Sequence, residues 1–248
     1  MFRPLRFLCP SDRRSVWSVL IYVTVVLGVD TLATQGGDWP INWRVFSWYG
    51  PEIYQALTWA GLPGPDVLLH PVLSGFNYFR FLAWFLVPFL CCLRGFDWGW
   101  LGWKRWRKID LALLGGIVLV GAVIMGLLPY LPGVRDIYPT YGSRYDSFPW
   151  EILQNRLLWV VSWLLGWEFL HRYLLLRAVD RRWKRLGWLL VPLFEGAYHL
   201  QKPLIEAFGM VVFSLLLTQW ARKRRNLLLP FLAHLIIEIE LILYQLLF

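Results

Sequence analysis

Seven apolar runs dominate this chain, most of them near the roughly 17–25 residues that a helix needs to cross a bilayer. They lie at about 15–34, 74–93, 109–131, 155–176, 187–201, 204–221 and 227–247, and the fifth is short. Of the 248 residues, 58% are hydrophobic and only 17% charged, a balance foreign to a soluble domain of this size. The fold class that follows is all-α: a polytopic membrane helix bundle of about seven transmembrane helices. No internal repeat, low-complexity tract or polar linker divides the chain, so residues 1–248 read as one integral membrane domain.

Charge gives the expected topology. Arg3, Arg6, Arg13 and Arg14 precede the first run, and Arg94, Lys104, Arg105, Arg107 and Lys108 follow the second. Arg177, Arg181, Arg182, Lys184 and Arg185 follow the fourth, and Arg222 to Arg225 follow the sixth. The opposite loops hold Arg44, then Arg135, Arg144 and Arg156 offset by Asp136, Asp146 and Glu151, then Lys202. The positive-inside rule puts the rich clusters and the N-terminus in the cytoplasm and the C-terminus outside, in a multi-pass protein of the cell membrane. The net charge of +9 is therefore topological rather than a nucleic-acid face, and membrane lipids are the expected surroundings.

The 17 Trp tend to fall near the ends of apolar runs and read as interfacial belts. The stretch from Gly36 to Pro71, rich in Trp, Pro and Gly, reads as an outer loop with short interfacial helices. Cys9, Cys91 and Cys92 have no CxxC spacing and support neither a disulfide framework nor a zinc ribbon. The first run lacks a small-residue cleavage site and is expected to be retained as a helix.

Ionisable residues within spanning runs are costly and ask for a reason. On the fourth run Glu168 and Arg172 stand at i and i+4, placed to pair on one face. Glu195 and His199 on the fifth, and His234 and Glu238 on the seventh, repeat the spacing, and the short turn from His199 to Glu206 also carries Lys202. Glu168 with Arg172 can serve simply as a helix-locking ion pair, His171 as a packing histidine, Glu195 and Glu240 as interhelical hydrogen-bonding residues, and Lys202 as a snorkelling cation. Glu168, His199 and His234 on three helices nevertheless offer one cavity a carboxylate and two imidazoles, the equipment that hydrolysis needs.

The order of these motifs resembles the CAAX-protease and bacteriocin-processing (CPBP, or Abi) family of intramembrane proteases, whose signature is Glu-Glu-x-x-x-Arg, Phe-x-x-x-His and His-x-x-x-Asn or Asp. The likeness runs from Gly166 to about Glu238, within a protease-like core at 155–248. Trp167-Glu168-x-x-x-Arg172 is similar to the first motif, with Trp167 in place of its first Glu. Glu195-x-x-x-His199 is similar to the second, and His234-x-x-x-Glu238, led by Pro230-Phe231-Leu232-Ala233, to the third. The first Glu is the residue to which the family's water activation is usually assigned. A Trp-Glu-x-x-x-Arg branch with a His-x-x-Lys-Pro-x-x-Glu segment is matched by His199, Lys202, Pro203 and Glu206.

The resemblance implies hydrolysis of a peptide bond in a membrane-anchored peptide or protein. Glu168 or Glu206 would act as base with His199, Arg172 would hold Glu168, and His234 with Glu238 or Lys202 would stabilise the oxyanion. A carboxylate and two histidines could also hold zinc, but no His-Glu-x-x-His pair is present and the family is read as metal-free, so no cofactor is expected and zinc stays open. Trp167 leaves a second reading, an inactive relative serving as a membrane binding or immunity partner. A proton-coupled transporter is a third, opposed by the lack of an inverted repeat.

Overall fold

A computed structural model describes residues 8, 15–34, 76–103, 106–130, 140, 148, 150–202 and 204–247. The expected loop from Gly36 to Pro71, the cluster Arg3, Arg6, Arg13 and Arg14, Arg44, Lys104, Arg105, the charged residues of 131–147, Cys9 and Pro203 lie outside the described residues.

Within them the chain forms seven helical rods and no strand. The first, α1, is Ser15–Thr34. The second, α2, covers 78–92 and contains a π-helical stretch, Phe81–Leu86. Lys108–Leu127 is α3. The fourth rod, α4, runs over 150–182 as Trp150–Glu168, a π-helical stretch Phe169–Leu175 and Leu176–Arg182. Leu190–Tyr198 is α5, flanked by single 3₁₀ turns, Leu204–Arg224 is α6 and Leu228–Leu247 is α7. The rods coincide with the seven apolar runs. Three helices, Lys108–Tyr130, Leu204–Arg224 and Leu228–Leu247, are long and apolar enough to cross a membrane, and Ser15–Thr31 and Phe81–Gly95 are shorter apolar helices. At 1.5 Å per residue α4 is about 50 Å long, overrunning the hydrocarbon layer, whereas α5 rises only about 14 Å.

Two ends of the bundle differ in chemistry. At one, the described parts of the basic clusters come together through ion pairs: Arg222 with Asp180 at 2.7 Å, Arg225 with Asp97 at 2.8 Å and Arg224 with Asp110 at 2.9 Å. Asp110, fully buried, also caps the start of α3 by accepting from the Arg107 backbone N–H, and it receives the Trp220 indole N–H, which ties α3 to the end of α6. Trp17 packs edge-on against Trp183, so α1 begins at this same end. Among the described residues, the charged ends of α4 and α6 and the turn after α2 thus form one basic end of the bundle.

The core lies between α2 and α4. Their π-helical stretches pack on each other, with Phe85 and Phe89 against Phe169 and Phe96 stacked on Tyr173 at 4.5 Å. Close approach depends on Gly166, where a Cβ would stand 2.7 Å from the Trp84 Cβ. In contrast, α3 turns Leu111, Leu119, Val120 and Val123 outward, more than half exposed, as a helix facing lipid does.

Candidate active site

The polar centre is built on α4, where the α-helix gives way to the π-helical stretch. Glu168 is the last residue before it and His171 and Arg172 lie inside it, and all three are buried. Such widened turns recur where a helix must present side chains off the regular 3.6-residue spacing.

Arg172 is the hub. Its Nη1 lies 3.0 Å from Glu168 Oε2 and 2.7 Å from Glu195 Oε1, and its Nη2 donates to Glu195 Oε2 at 3.0 Å. One guanidinium thus holds a carboxylate of its own helix and, through both oxygens, one from α5. Glu168 uses its other oxygen across the bundle, where Oε1 accepts from His234 Nδ1 of α7 at 2.9 Å. A carboxylate can only accept, so the Nδ1 position carries the hydrogen and Nε2 presents its lone pair. That Nε2 lies 3.8 Å from Glu238 Oε1, one turn further along α7. Three helices are joined in one buried chain of groups, Glu195–Arg172–Glu168–His234.

Above this chain is a cavity of about 400 Å³. His199, His234, Glu238 and Lys202 line it, so the sequence-expected histidines share one space. His199 Nδ1 donates to the Glu195 carbonyl at 2.8 Å, which leaves its Nε2 as an acceptor. Glu206 stands one step back, bonded to Lys202 at 2.7 Å and absent from the cavity wall, while Glu168, Arg172 and Glu195 lie beneath it. His171 is not a wall residue; it donates to the Trp167 carbonyl at 2.9 Å. Glu240 instead packs against Gly121 of α3.

Arg156, Gln201, Lys202 and Gln245 also line the cavity. Arg156 stands about 18 Å along α4 from Glu168, and Gln245 about 16 Å along α7 from His234. The cavity therefore extends from the polar centre toward the end of the bundle opposite the basic clusters.

Two parts of the wall escaped the sequence reading. Arg80 at the start of α2 grips Asp30 of α1 through two bonds of 2.9 Å and donates to the Tyr198 hydroxyl at 3.0 Å, while Tyr198 donates to Asp30. Asp30 sits in an apolar run, and its intramembrane cost was the signal available. The second part is tryptophan. The belt expectation fits Trp17, Trp98, Trp103 and Trp150, each at least 60% exposed near a helix end. It fails for Trp84, Trp163 and Trp167, which are buried wall residues with the indole N–H of each lacking a hydrogen-bond partner. Trp159, Trp163, Trp167 and His171 recur every four residues, a spacing that puts them on one face of α4 and could have revealed this stripe. Trp167 packs its ring among Trp84, Tyr198 and His199, with centroids 5.1–5.7 Å away.

Among the described residues, no group of three or more His, Cys, Asp and Glu stands close enough together to hold a metal ion.

Apolar spanning helices wrapped around a buried carboxylate–guanidinium–imidazole chain, under a cavity that extends toward one end, define a polytopic helical membrane protein with a polar interior site. Residues 148–239 match the family model described as Type II CAAX prenyl endopeptidase Rce1-like, and that segment holds all three motifs, so the resemblance to the CAAX-protease family is shown there. No curated protein and no solved structure matches the chain.

Proposed function

We propose that the protein is an intramembrane endopeptidase that cleaves a membrane-anchored peptide or protein with water activated at the Glu168–His234 pair. The observation that carries this reading is the 2.9 Å bond from His234 Nδ1 to Glu168 Oε1 at the floor of a cavity also lined by His199. The match of residues 148–239 to a family of CAAX prenyl endopeptidases supports the reaction class.

In this mechanism Arg172 and Glu195 keep Glu168 oriented, and Glu168 fixes the His234 ring with Nε2 toward the cavity. Nε2 takes a proton from water while the water oxygen attacks the scissile carbonyl carbon. The oxyanion forms beside the unpartnered Trp163 and Trp167 indole N–H groups, with the Lys202 ammonium, paired to Glu206 at 2.7 Å, on the same cavity wall. The C–N bond then breaks, and the imidazolium returns its proton to the leaving amine. The water's second O–H donates to His199 Nε2, and Glu238 stands beside them, 3.8 Å from His234 Nε2. The cavity takes a segment extending from the membrane surface.

A second reading, a non-catalytic membrane binding partner, is favoured by one observation: Trp167 occupies with a packed indole the position where the family has its first Glu. Co-expression of the full chain with a candidate membrane-anchored substrate separates the two. Cleavage by the wild type and none by Glu168→Gln or His234→Gln, at equal protein level, supports the enzyme. A cellular phenotype of gene deletion fully restored by both variants supports the binding partner instead.

A further inference from the structure

The basic end of the bundle holds a second cavity, of about 580 Å³, formed where the end of α4 meets the end of α6 and the turn after α2. Arg177, Arg181, Lys184, Arg222 and Arg225 line it, against a single lining carboxylate, Asp180. Asp180 is already paired with Arg222 at 2.7 Å, and the neighbouring Asp97 is shared between Arg177 at 3.3 Å and Arg225 at 2.8 Å. Five cationic side chains line one concavity with one carboxylate, and Asp97 stands beside it, so the formal charge of the lining is positive. A topology signal needs basic residues near the membrane surface but not converging on a cavity.

The cavity also has a built interior. The Arg177 side chain is 10% exposed, and its Nη1 is buried without a hydrogen-bond partner. Arg177 and Arg225 lie over the ring of Trp100, at 5.1 and 5.7 Å from its centroid, which fixes the guanidinium planes. Planar, anchored guanidiniums present paired N–H donors to tetrahedral oxyanions. The site lies at the ends of α4 and α6, where apolar sequence gives way to basic residues, a position that the positive-inside rule assigns to the membrane surface. We propose that this cavity binds a phosphate group carrying net negative charge, of the kind presented by anionic phospholipid headgroups.

The proposal concerns binding alone and holds whether or not the other end of the bundle is catalytic. It is tested on the full chain in nanodiscs of phosphatidylcholine with and without phosphatidylglycerol, by counting retained lipids with native mass spectrometry and recording thermal unfolding. Wild type should retain phosphatidylglycerol and unfold at a higher temperature in its presence. Arg181→Gln/Lys184→Gln should weaken that retention by roughly tenfold or more, since each surface cation contributes several-fold to anionic lipid binding. Lys108→Gln, a loss of charge at the same end but outside the cavity, should leave retention unchanged. Stabilisation by inorganic pyrophosphate but not by phosphatidylglycerol, lost in the double variant, would support the phosphate chemistry with a soluble source and overturn the lipid one. Equal retention of phosphatidylcholine, or equal losses in Lys108→Gln and the double variant, would overturn the site.

Discussion

His234 Nδ1 lies 2.9 Å from Glu168 Oε1 although 66 residues of chain separate them, and this bond closes a link from α7 through α4 to α5. It gives the imidazole one ring nitrogen fixed by a carboxylate and the other turned to the cavity, the division of roles that general-base catalysis requires.

Replacing Glu168 by Gln keeps the shape but removes the carboxylate that orients His234. Turnover of a membrane-anchored substrate should fall by about 10²–10⁴-fold. His234→Gln should fall as far, and the double variant little further, because residues acting as one unit are not additive. Initial rates of cleavage, normalised to folded protein in detergent, check this.

Arg172 offsets two buried carboxylates, so its loss should cost more than the loss of either partner. Arg172→Met should destabilise the protein by about 3–5 kcal/mol, the cost of leaving buried charge uncompensated. Glu195→Gln, which retains hydrogen bonding to the guanidinium, should cost less, and Arg172→Met/Glu195→Leu should recover part of the loss. Chemical unfolding in mixed micelles is the measurement, and a single Arg172→Met change as mild as Glu195→Gln would contradict the hub arrangement.

Gly166 admits the backbone of α2 at the level of Trp84. Gly166→Ala should push the two helices apart at a cost of about 1–3 kcal/mol, as overpacking does. Because Trp167 and Glu168 follow directly, cleavage should suffer beyond the drop in folded protein. Activity per folded molecule, rather than expression level, distinguishes the displacement from simple instability.

The Asp30–Arg80–Tyr198 cluster ties α1 to α2 and α5. Tyr198→Phe removes a hydroxyl that both accepts from Arg80 and donates to Asp30, and should lower stability by about 1–3 kcal/mol. Arg80→Leu should cost more, since Asp30, 3% exposed, would lose its counter-charge. Thermal melts of the three proteins should rank wild type above Tyr198→Phe above Arg80→Leu.

Orientation is open to a direct check. With Cys9, Cys91 and Cys92 replaced by Ala, single cysteines at Lys184 and Arg225 should label from the cytoplasm, and one at Lys202 from outside. Labelling of all three from one side would break the alternation from which the topology is argued.

Much was legible without coordinates because the bilayer makes strong demands on sequence. Twenty apolar residues in a row have few alternatives to a spanning helix, and α1, α3, α6 and α7 lie where their runs predict. The i, i+4 pair of Glu168 with Arg172 was legible for the same kind of reason, since helix geometry alone sets it. The described basic residues that follow the fourth and sixth runs meet at one end, as the alternation of charge in the sequence leads one to expect.

What no local rule supplies is the rotation and depth of one helix against its neighbour. Glu195 stands i, i+4 from His199, yet its carboxylate turns to Arg172, and only the packing of α5 on the π-helical stretch of α4 decides that. The same holds for Asp30 with Arg80, and for Trp84, Trp163 and Trp167, which composition assigns to the membrane boundary and packing assigns to a cavity wall. The sequence by itself determined which charged groups must be buried and on which helices, because lipid leaves an ionised side chain few other places to go. Tertiary structure alone decided which of them meet, because a carboxylate reaches a partner only within a few ångströms, a distance smaller than the shift produced by turning a helix through one residue.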